Sequence, residues 1–381
     1  MKIAGMALAL GLLLTACGPS SGVVAPEEQA EDYKIVGYVM GRRSLDLRRI
    51  DATKLTHINY AFANIADGKV VLEGEHDPAN FATLNALKAD NPRLKILLSV
   101  GGWSWSDHFS DAALTEASRE TFARSAVDLL VTHHLDGIDI DWEYPGQPGD
   151  GNTYRPEDKQ NFTLMLKALR EHLDAQSTRD GRSGPDTYLL TIASGANATF
   201  LEHTEMDVAQ QYLDFINIMT YDFAGSWSAT TGHHTNLYPS AADGAPERAA
   251  STGVDEHIRA GIPTRKIVLG VAFYGRGWSG VTPAQNGLYQ PYGASTGAYA
   301  YQTLVTEYIN QNGFRRYWDD AAQAPYLWHA DSSRFITYDD EESLRHKADF
   351  VKAQGLGGVM YWEHSHDPDE VLLGVLFQHL R

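Results

Sequence analysis

The sequence predicts an α/β protein built as a TIM (β/α)8 barrel, with a small α+β lobe inserted between the seventh strand and the seventh helix. Three observations lead to this prediction: short β-rich segments recur along the chain, amphipathic segments separate them, and one separation is unusually long. The β-rich segments are almost continuously apolar, which is typical of parallel strands buried on both faces. Eight such segments occur, at 34–39, 56–65, 95–103, 135–145, 188–194, 215–222, 266–275 and 355–363.

The segments between the strands carry apolar residues at helical spacing. The clearest are 115–133, in which Phe122 and Ala126 are four residues apart, and 158–175. A glycine-rich dinucleotide fingerprint after the first strand would favour an open doubly wound sheet, but its spacing is absent from the segment after residue 39. Eight strand–helix units therefore predict a closed barrel.

The long separation lies between the seventh and eighth strands and spans about 80 residues, more than one helix and two loops need. Residues 276–345 are rich in tyrosine, tryptophan and glycine. We interpret 276–345 as the inserted lobe, with the seventh barrel helix resuming near 341–354. The barrel domain as a whole is expected to occupy 34–381.

The first residues resemble a secretory leader. Lys2 precedes an apolar run that is too short for a membrane-spanning helix. The run ends in Leu-Thr-Ala-Cys, which resembles the lipobox of bacterial lipoproteins, so 1–17 is interpreted as the signal peptide and Cys17 as the site of lipid attachment. Cys17 is the only cysteine, so no internal disulfide is possible. The alternative is an ordinary signal peptide with an incidental cysteine. Residues 18–33 mix Gly, Pro, Ser and acids and predict a flexible tether.

Composition excludes some partners. The chain is 43% hydrophobic and 21% charged, an ordinary globular profile, and its net charge is −18. An anionic protein without a basic cluster repels phosphate backbones, so nucleic acid is not expected as a partner. No cofactor is expected, and we expect a monomer.

The segment LDGIDIDWEYP (135–145) carries the strongest signal for chemistry. Residues two apart on a strand share a face, so Asp139, Asp141 and Glu143 form one row, and Ile138, Ile140 and Trp142 face the other way. In a barrel this row faces the interior and rises toward the C-terminal end, where active sites of such barrels lie. Burial and neighbouring charge raise carboxyl pKa values, which suits a general acid at Glu143. Asp136 is out of phase and is expected to have a supporting role.

Two other interpretations of these acids, and one of a histidine pair, fit the sequence less well. A calcium loop starting at Asp139 would need glycine at its sixth position and glutamate at its twelfth. Tyr144 and Asp150 occupy these positions. A purely structural cluster would leave buried carboxylates unpaired, which is destabilising. His364 and His366 share a face but lack a third metal ligand, so no metal site is predicted.

Five motifs together resemble glycoside hydrolase family 18, the chitinases. DGIDIDWEYP fits the pattern D-x-x-D-x-D-x-E of that family, and the others are LLSVGGW (97–103), MTYDFAGSW (219–227), GVAFYGRGW (270–278) and GGVMYWE (357–363). The likeness extends from residue 34 to the end of the chain. The predicted lobe falls where bacterial chitinases of subfamily A carry an extra lobe.

The resemblance implies roles for the acid row and one tyrosine. Glu143 would protonate the glycosidic oxygen, and the 2-acetamido group of the substrate would attack the anomeric carbon to give an oxazolinium ion. Asp141 would orient the acetamido N–H, Asp139 would share a proton or hydrogen bond with Asp141, and Tyr221 would bind the acetamido oxygen. None of the acids then acts as the nucleophile.

The resemblance also implies a sugar-binding surface. Tryptophans at or just after predicted strand ends (103, 142, 227, 278 and 362) fit the stacking of indoles on sugar C–H faces. The residues expected to contact sugars are Tyr38, Phe62, Trp103, Tyr144, Met219, Asp222, Trp227, Arg276 and Trp362. Ser228 stands where many members of the family carry an acidic residue, so contacts on the leaving-group side are expected to differ.

The function expected from this resemblance is cleavage of β-1,4-linked N-acetylglucosamine chains with retention, by an enzyme anchored through lipid to the bacterial cell envelope. The membrane and the face on which it lies stay open. Two alternatives remain: an endo-β-N-acetylglucosaminidase acting on glycan cores or peptidoglycan-type chains, and a non-catalytic chitin-binding lectin on the same fold.

Overall fold

The computed structural model describes Met1 and residues 33–42, 44–46, 49–240 and 248–381. Cys17, the predicted leader after Met1 and the predicted tether up to residue 32 lie outside the described residues. In the described part of the chain, no helix is both long enough and apolar enough to cross a membrane.

Fourteen strands form two sheets in the described residues. They are β1 (Lys34–Met40), β2 (His57–Ala66), β3 (Lys69–Val71), β4 (Lys95–Gly101), β5 (Gly137–Asp141), β6 (Leu189–Gly195), β7 (Phe215–Met219), β8 (Ile267–Ala272), β9 (Tyr274–Ser279), β10 (Ala294–Ala300), β11 (Arg315–Asp319), β12 (Ala324–His329), β13 (Arg334–Thr337) and β14 (Gly358–Trp362). The first sheet contains eight parallel strands in the order β1, β2, β4, β5, β6, β7, β8 and β14. Because β1 pairs with both β2 and β14, the sheet closes into a barrel, which confirms the predicted fold.

Helices surround this barrel. The α-helices are α1 (Asp77–Ala86), α2 (Phe109–Ala113), α3 (Glu116–Thr132), α4 (Asp158–Arg179), α5 (Ala198–Glu202), α6 (Met206–Ala209), α7 (Ala250–Arg259), α8 (Tyr301–Thr303), α9 (Glu341–Gln354) and α10 (Val371–Leu380). Short 3-10 turns occur at Ala52–Lys54, Leu87–Ala89, Trp103–Trp105, Gly184–Asp186, Gln210–Tyr212, Thr264–Lys266, Ala284–Gly287 and His364–His366, and a π-turn at Leu304–Tyr308. Helix α9 begins at a capping box. The Asp340 carboxylate accepts the backbone N–H of Ser343, and the Ser343 hydroxyl accepts the backbone N–H of Asp340.

The alternation on β5 divides its side chains between two environments. Ile138 and Ile140 point outward into the main core between the sheet and the helices and are fully buried. Trp142 follows them into that core and stacks on Phe109, with ring centroids 5.2 Å apart. The expectation that Trp142 lies at the sugar-binding surface is therefore wrong, because its position in the alternation places it with the isoleucines.

The second sheet is the inserted lobe. It is antiparallel, in the order β10, β9, β13, β12 and β11, and it begins at Tyr274, directly after β8. Its last strand ends at Thr337 and α9 begins at Glu341, so the sheet is shorter than the predicted range 276–345. Trp278 is fully buried in the lobe's own core beside Phe335, so this tryptophan also does not reach the sugar-binding surface.

Candidate active site

A cavity of about 970 Å³ opens at the C-terminal end of the barrel, between the strand ends and the lobe. Its walls contain every residue predicted from the sequence to act in catalysis or to contact sugars, except Asp139 and the two buried tryptophans Trp142 and Trp278. These are Tyr38, Phe62, Trp103, Asp141, Glu143, Tyr144, Met219, Tyr221, Asp222, Trp227, Arg276 and Trp362. The structure thus brings together residues from seven of the eight barrel strands or the segments that follow them.

Asp139 lies below the cavity and is fully buried. Its Oδ2 accepts hydrogen bonds from the hydroxyls of Tyr38 and Ser99, both at 2.7 Å. Its Oδ1 accepts from the Thr191 hydroxyl at 2.5 Å and from the Asn217 amide at 3.4 Å. Burial raises the pKa of Asp139, and these hydrogen bonds offset part of the rise. Four donors from four other barrel strands, β1, β4, β6 and β7, thereby hold the lowest carboxyl group of the row.

Tyr38 borders the cavity and also supports the acid row. Its side chain is almost completely buried, and its hydroxyl donates to Asp139. The packing of Tyr38 against Trp362, at a centroid distance of 5.6 Å, joins the carboxyl row to the cavity floor.

Asp141 ends β5 and Glu143 follows it at the cavity wall. The Ser106 hydroxyl fixes the chain here, since it accepts the backbone N–H of Glu143 at 2.8 Å and donates to the carbonyl oxygen of Asp141 at 3.1 Å. The peptide bond between Glu143 and Tyr144 is cis. Burial, with a contribution from the charge of Asp222, raises the pKa of Glu143 to about 7, although a hydrogen bond from Tyr144 opposes the rise. Glu143 can therefore hold a proton near neutral pH, as a general acid must.

Two polar groups at the cavity lack an adequate partner among the described residues. Oδ1 of Asp141 is buried and has no hydrogen-bond partner among the described residues. The Tyr221 hydroxyl has only a weak contact, with the sulfur of Met360 at 3.7 Å. Burial and the nearby charges of Glu143 and Asp139 raise the pKa of Asp141 well above its ordinary value. Burial likewise raises the pKa of Tyr221, which keeps its phenol a hydrogen-bond donor.

Asp222 and Arg276 form the wall on the lobe side. The guanidinium of Arg276 binds both carboxylate oxygens of Asp222, at 2.6 Å each, and the Tyr274 hydroxyl adds a third bond at 2.6 Å. Asp222 adopts a left-handed backbone conformation, with φ of 61°, which turns its side chain toward the lobe. Burial would raise the pKa of Asp222, but hydrogen bonds from His234 and Arg276 lower it overall. Asp222 is thus a fixed anion.

The aromatic residues divide into a floor and a rim. Trp362 forms the floor and stacks on Phe62 with an interplanar angle of 18°. Trp103 and Trp227 are 53% and 60% exposed, which leaves their faces open at the rim. The guanidinium of Arg276 lies over the Trp227 ring at 4.8 Å and holds it beside the cavity.

Several residues of the site were not predicted. Ser99, Thr191 and Asn217 each interrupt an apolar strand with a polar side chain, and that interruption was the signal available in the sequence. Trp105 also borders the cavity, two residues after Trp103. The cavity further includes Arg42, Asp77 and Arg248, which come from segments without a recognisable pattern.

The histidine pair that raised the question of a metal has protein partners. His364 contacts the Tyr361 hydroxyl and the carbonyl oxygen of Arg49 through its two ring nitrogens. Nε2 of His366 lies 3.2 Å from Glu363 Oε1. Across the described ranges, no group of three or more potential metal ligands is assembled.

The arrangement defines a class of protein. A saccharide presents apolar C–H faces and polar edges, which match aromatic faces and fixed polar groups, and a protonated carboxyl group can cleave a glycosidic bond. A (β/α)8 barrel with these features at its C-terminal end is a glycoside hydrolase. The profile of the glycosyl hydrolases family 18 matches residues 34–367, and the chain belongs to this family.

Relatives with known names support this membership. Chitinase A1 of Niallia circulans is 43% identical over 439 residues, which cover 97% of this chain and 62% of that protein. Chitinase B of Serratia marcescens is 33% identical over 381 residues, covering 83% of this chain and 74% of that protein. The chain thus spans less than two thirds of the length of Chitinase A1.

A solved structure described as a family 18 N-acetylglucosaminidase from Paenibacillus barengoltzii has the same fold. It superposes with a TM-score of 0.84 at 46% identity. The superposition covers 91% of this chain and 99% of that chain, so the likeness includes both the barrel and the lobe.

Proposed function

We propose that the protein is a chitinase that hydrolyses β-1,4-linked N-acetylglucosamine chains with retention of anomeric configuration. The observation that carries the proposal is the pair of unsatisfied groups at the cavity. Oδ1 of Asp141 needs a donor, and the Tyr221 hydroxyl needs a good acceptor. An acetamido group supplies both, because its N–H is a donor and its carbonyl oxygen an acceptor. A 2-hydroxyl can also donate and accept, but it does so through a single oxygen atom, whereas the acetamido group presents its donor and its acceptor on two different atoms.

In the first step of the proposed reaction, Glu143 donates its proton to the glycosidic oxygen and the bond from that oxygen to the anomeric carbon breaks. The acetamido oxygen bonds to the anomeric carbon from the opposite face and gives a cyclic oxazolinium ion. Asp141 binds the acetamido N–H, and its negative charge stabilises the positive charge that develops there. A water molecule then gives its proton to Glu143 and adds to the anomeric carbon, which restores the acetamido group.

The placement of the other carboxyl groups supports a nucleophile supplied by the substrate. Asp139 lies below the cavity with both oxygens occupied. Asp222 is held by Arg276 and Tyr274. Asp141 is the group that accepts the acetamido N–H, so its Oδ1 is occupied when substrate is bound. Most retaining glycosidases use a second carboxylate, and enzymes of family 18 are a known exception.

The size of the cavity favours a chain of sugars over a single one. Its volume of about 970 Å³ lies at the upper end of ordinary ligand sites, which span roughly 300–1,000 Å³. The exposed Trp103 and Trp227 extend the aromatic surface beyond the floor at Trp362. A bacterial chitinase of subfamily A is the form of the family that fits the lobe.

A second candidate is an N-acetylglucosaminidase, which the description of the Paenibacillus barengoltzii structure favours. Such an activity uses the same acid row and the same acetamido site. The difference lies in how many sugars leave with each cleavage. The products formed at the earliest times therefore distinguish the two candidates.

The test is hydrolysis of N-acetylglucosamine hexamer by the wild-type protein and by Glu143→Gln, with products resolved by chromatography and their anomeric form by NMR. We expect dimers and longer oligomers in the β-form from the wild type, and a loss of turnover of about 10²–10⁴-fold in Glu143→Gln. Glu171→Gln, which changes an exposed residue of α4, is the matched control and should retain full activity.

Each alternative has its own result. Release of the monomer alone from the earliest times indicates the N-acetylglucosaminidase. A wild-type protein that binds N-acetylglucosamine oligomers without cleaving any of them indicates a lectin. Cleavage confined to glycan cores or peptidoglycan-type chains indicates the endo-acting alternative. Near-normal turnover by Glu143→Gln contradicts the assignment of the acid.

We further propose that Cys17 carries lipid and attaches the enzyme to the bacterial cell envelope. The proposal is supported by Leu-Thr-Ala-Cys at the end of the apolar leader. The intact mass of the protein from a bacterial host should include a lipid increment that Cys17→Ala lacks. Equal increments in the two proteins would contradict it.

A further inference from the structure

The lobe is joined to the barrel by two chain crossings that meet at one buried ion pair. The lobe begins at Tyr274, two residues after β8 ends at Ala272, and its last strand ends at Thr337, two residues before Asp339. Nζ of Lys347, on α9, lies 2.8 and 2.6 Å from the two carboxylate oxygens of Asp339. Both side chains are fully buried. The entrance and the exit of the lobe are thus held at one place.

Thr235, in the segment after β7, completes this group, and we name Thr235, Asp339 and Lys347 the neck cluster. Lys347 donates to the Thr235 hydroxyl at 2.7 Å, and that hydroxyl donates to Asp339 at 3.0 Å. Asp339 also accepts the backbone N–H of Ala272 at 3.1 Å and the Ser343 hydroxyl at 2.7 Å. The neck cluster therefore connects the end of β8, the segment after β7, the exit of the lobe and α9.

Two positions held by the neck cluster lead directly to the cavity wall. Ala272 lies four residues before Arg276 along the chain. The Thr235 hydroxyl lies 3.4 Å from the carbonyl oxygen of Thr220, two residues before Asp222. Asp222 and Arg276 meet across the cavity wall in a bidentate contact at 2.6 Å. A shift at the neck would change the distance between the two halves of that contact.

We propose that the neck cluster is a positioning element that holds Asp222 and Arg276 in place for sugar binding. The inference rests on the proposed function, because it assigns the cluster to the same substrate site. Stability alone does not account for a buried lysine, since a buried ion pair can often be replaced by packed apolar residues without loss of stability. Apolar residues do not provide the directional bonds that join four segments at one carboxylate.

The test compares Lys347→Met with the double variant Lys347→Met/Asp339→Leu. The single variant leaves a buried carboxylate unpaired and should unfold at a lower temperature. The double variant removes both charges and should recover most of the thermal stability. We expect it to retain a KM for N-acetylglucosamine hexamer raised by about ten- to a hundredfold. Its kcat should change less, since no hydrogen bond joins the acid row to the neck cluster among the described residues.

A role in stability alone predicts a different result. Partial unfolding lowers the amount of active enzyme, so the apparent kcat falls while KM stays constant. Lys88→Met is the matched control, because Lys88 is also a lysine paired with a largely buried aspartate, Asp136, away from the cavity. It should lower the melting temperature without raising KM. A double variant with wild-type KM overturns the inference, whatever its kcat.

A milder variant and a binding measurement keep the test decisive. If the double variant does not fold, Thr235→Val removes one hydroxyl and leaves the Lys347–Asp339 pair intact. KM should then rise several-fold with little change in melting temperature, and an unchanged KM overturns the inference. A wild-type protein that turns over no oligomer contradicts the proposed function instead. In that case the dissociation constant of the hexamer, measured by calorimetry, replaces KM and decides the inference in the same way.

Discussion

The acid row and the neck cluster both contain buried carboxyl groups, yet the surroundings of those groups differ. Asp339 of the neck cluster has a lysine against both oxygens and accepts three further hydrogen bonds, from Thr235, Ser343 and Ala272. Asp141 of the acid row has carboxyl groups on both sides and an oxygen without a partner. A paired carboxylate fixes the chain. A crowded carboxyl group has a raised pKa and an acceptor left for substrate, which are the properties that catalysis needs.

The difference also determines how each site is expected to affect the free energy of unfolding. Buried like charges destabilise the folded protein, while a buried charge with its counter-ion present is destabilising mainly when one member is removed. The lysine of the neck cluster has a pKa lowered by burial, against which Asp339 acts. We therefore expect mutations at the two sites to have opposite effects on stability. The predictions below test this contrast, beginning with the largest effect.

Asp141→Asn should have the largest effect among these tests. The amide keeps the size of the side chain but loses the charge that stabilises the oxazolinium ion, so kcat should fall by about 10²–10³-fold. The rate is measured with a fluorogenic chitotriose. Asp90→Asn, at an exposed position, is the control. A reduction smaller than threefold would mean that crowding at Asp141 has no catalytic purpose.

The pH dependence should reflect the raised pKa of Glu143. A general acid works only when protonated, and the folded pKa is about 7. The value of kcat/KM should therefore decrease above pH 7, by about tenfold for each pH unit. A pH profile recorded from 5 to 9 tests this point, and the residual activity of Glu143→Gln should lack the decrease. A wild-type profile that stays level to pH 9 would contradict the assignment.

Tyr38→Phe should have a smaller effect, because it removes one of four donors to Asp139. The lost bond, 2.7 Å long, leaves a buried carboxylate oxygen with the Ser99 hydroxyl alone. Hydrogen bonds to charged groups contribute roughly 1.5–3 kcal/mol, so kcat should fall by about tenfold and the pKa of Asp139 should rise. Tyr154→Phe, at an exposed tyrosine outside the cavity, is the control. Equal rates for the two variants would show that the support of Asp139 is not needed for turnover.

Melting temperatures should show directly that mutations at the acid row and at the neck cluster have opposite effects on stability. The pKa of Glu143 is raised from 4.5 to about 7 in the folded state, so ionisation between these values destabilises the fold by up to about 3 kcal/mol above pH 7. Glu143→Gln should therefore melt a few degrees above the wild type at pH 8 and close to it at pH 5. Lys347→Met should melt below the wild type at both values. A melting temperature for Glu143→Gln below that of the wild type at pH 8 would contradict the expected difference between the two sites.

The acid row could be predicted because its physics is local. Strand alternation places Asp139, Asp141 and Glu143 on one face whatever the rest of the fold, and the isoleucines between them identify the buried side. The same alternation places Trp142 in the outer core. Its position at the end of a strand suggested a sugar-facing tryptophan, but the alternation was the better guide. Trp278 was misplaced for another reason: it lies in the lobe, whose core cannot be recognised before its sheet is known.

The neck cluster could not be predicted from the sequence. Thr235 and Lys347 are more than a hundred residues apart, and no spacing rule connects them. The same holds for the donors to Asp139, since Ser99, Thr191 and Asn217 become neighbours only when β4 to β7 lie side by side. Long-range contacts of polar groups depend on register, which the apolar pattern of a fully buried strand does not specify.

By itself, the sequence determined the eight-stranded barrel, the row of acids at its C-terminal end and the presence of an inserted lobe, because each of these follows from periodicity or from composition over a short stretch. Only the tertiary structure decided which carboxyl groups are paired and which stay crowded, since pairing depends on the side chains that other strands bring to the same place. It also decided which tryptophans face the cavity. Chemistry at this site therefore depends on contacts between segments that are far apart in the chain.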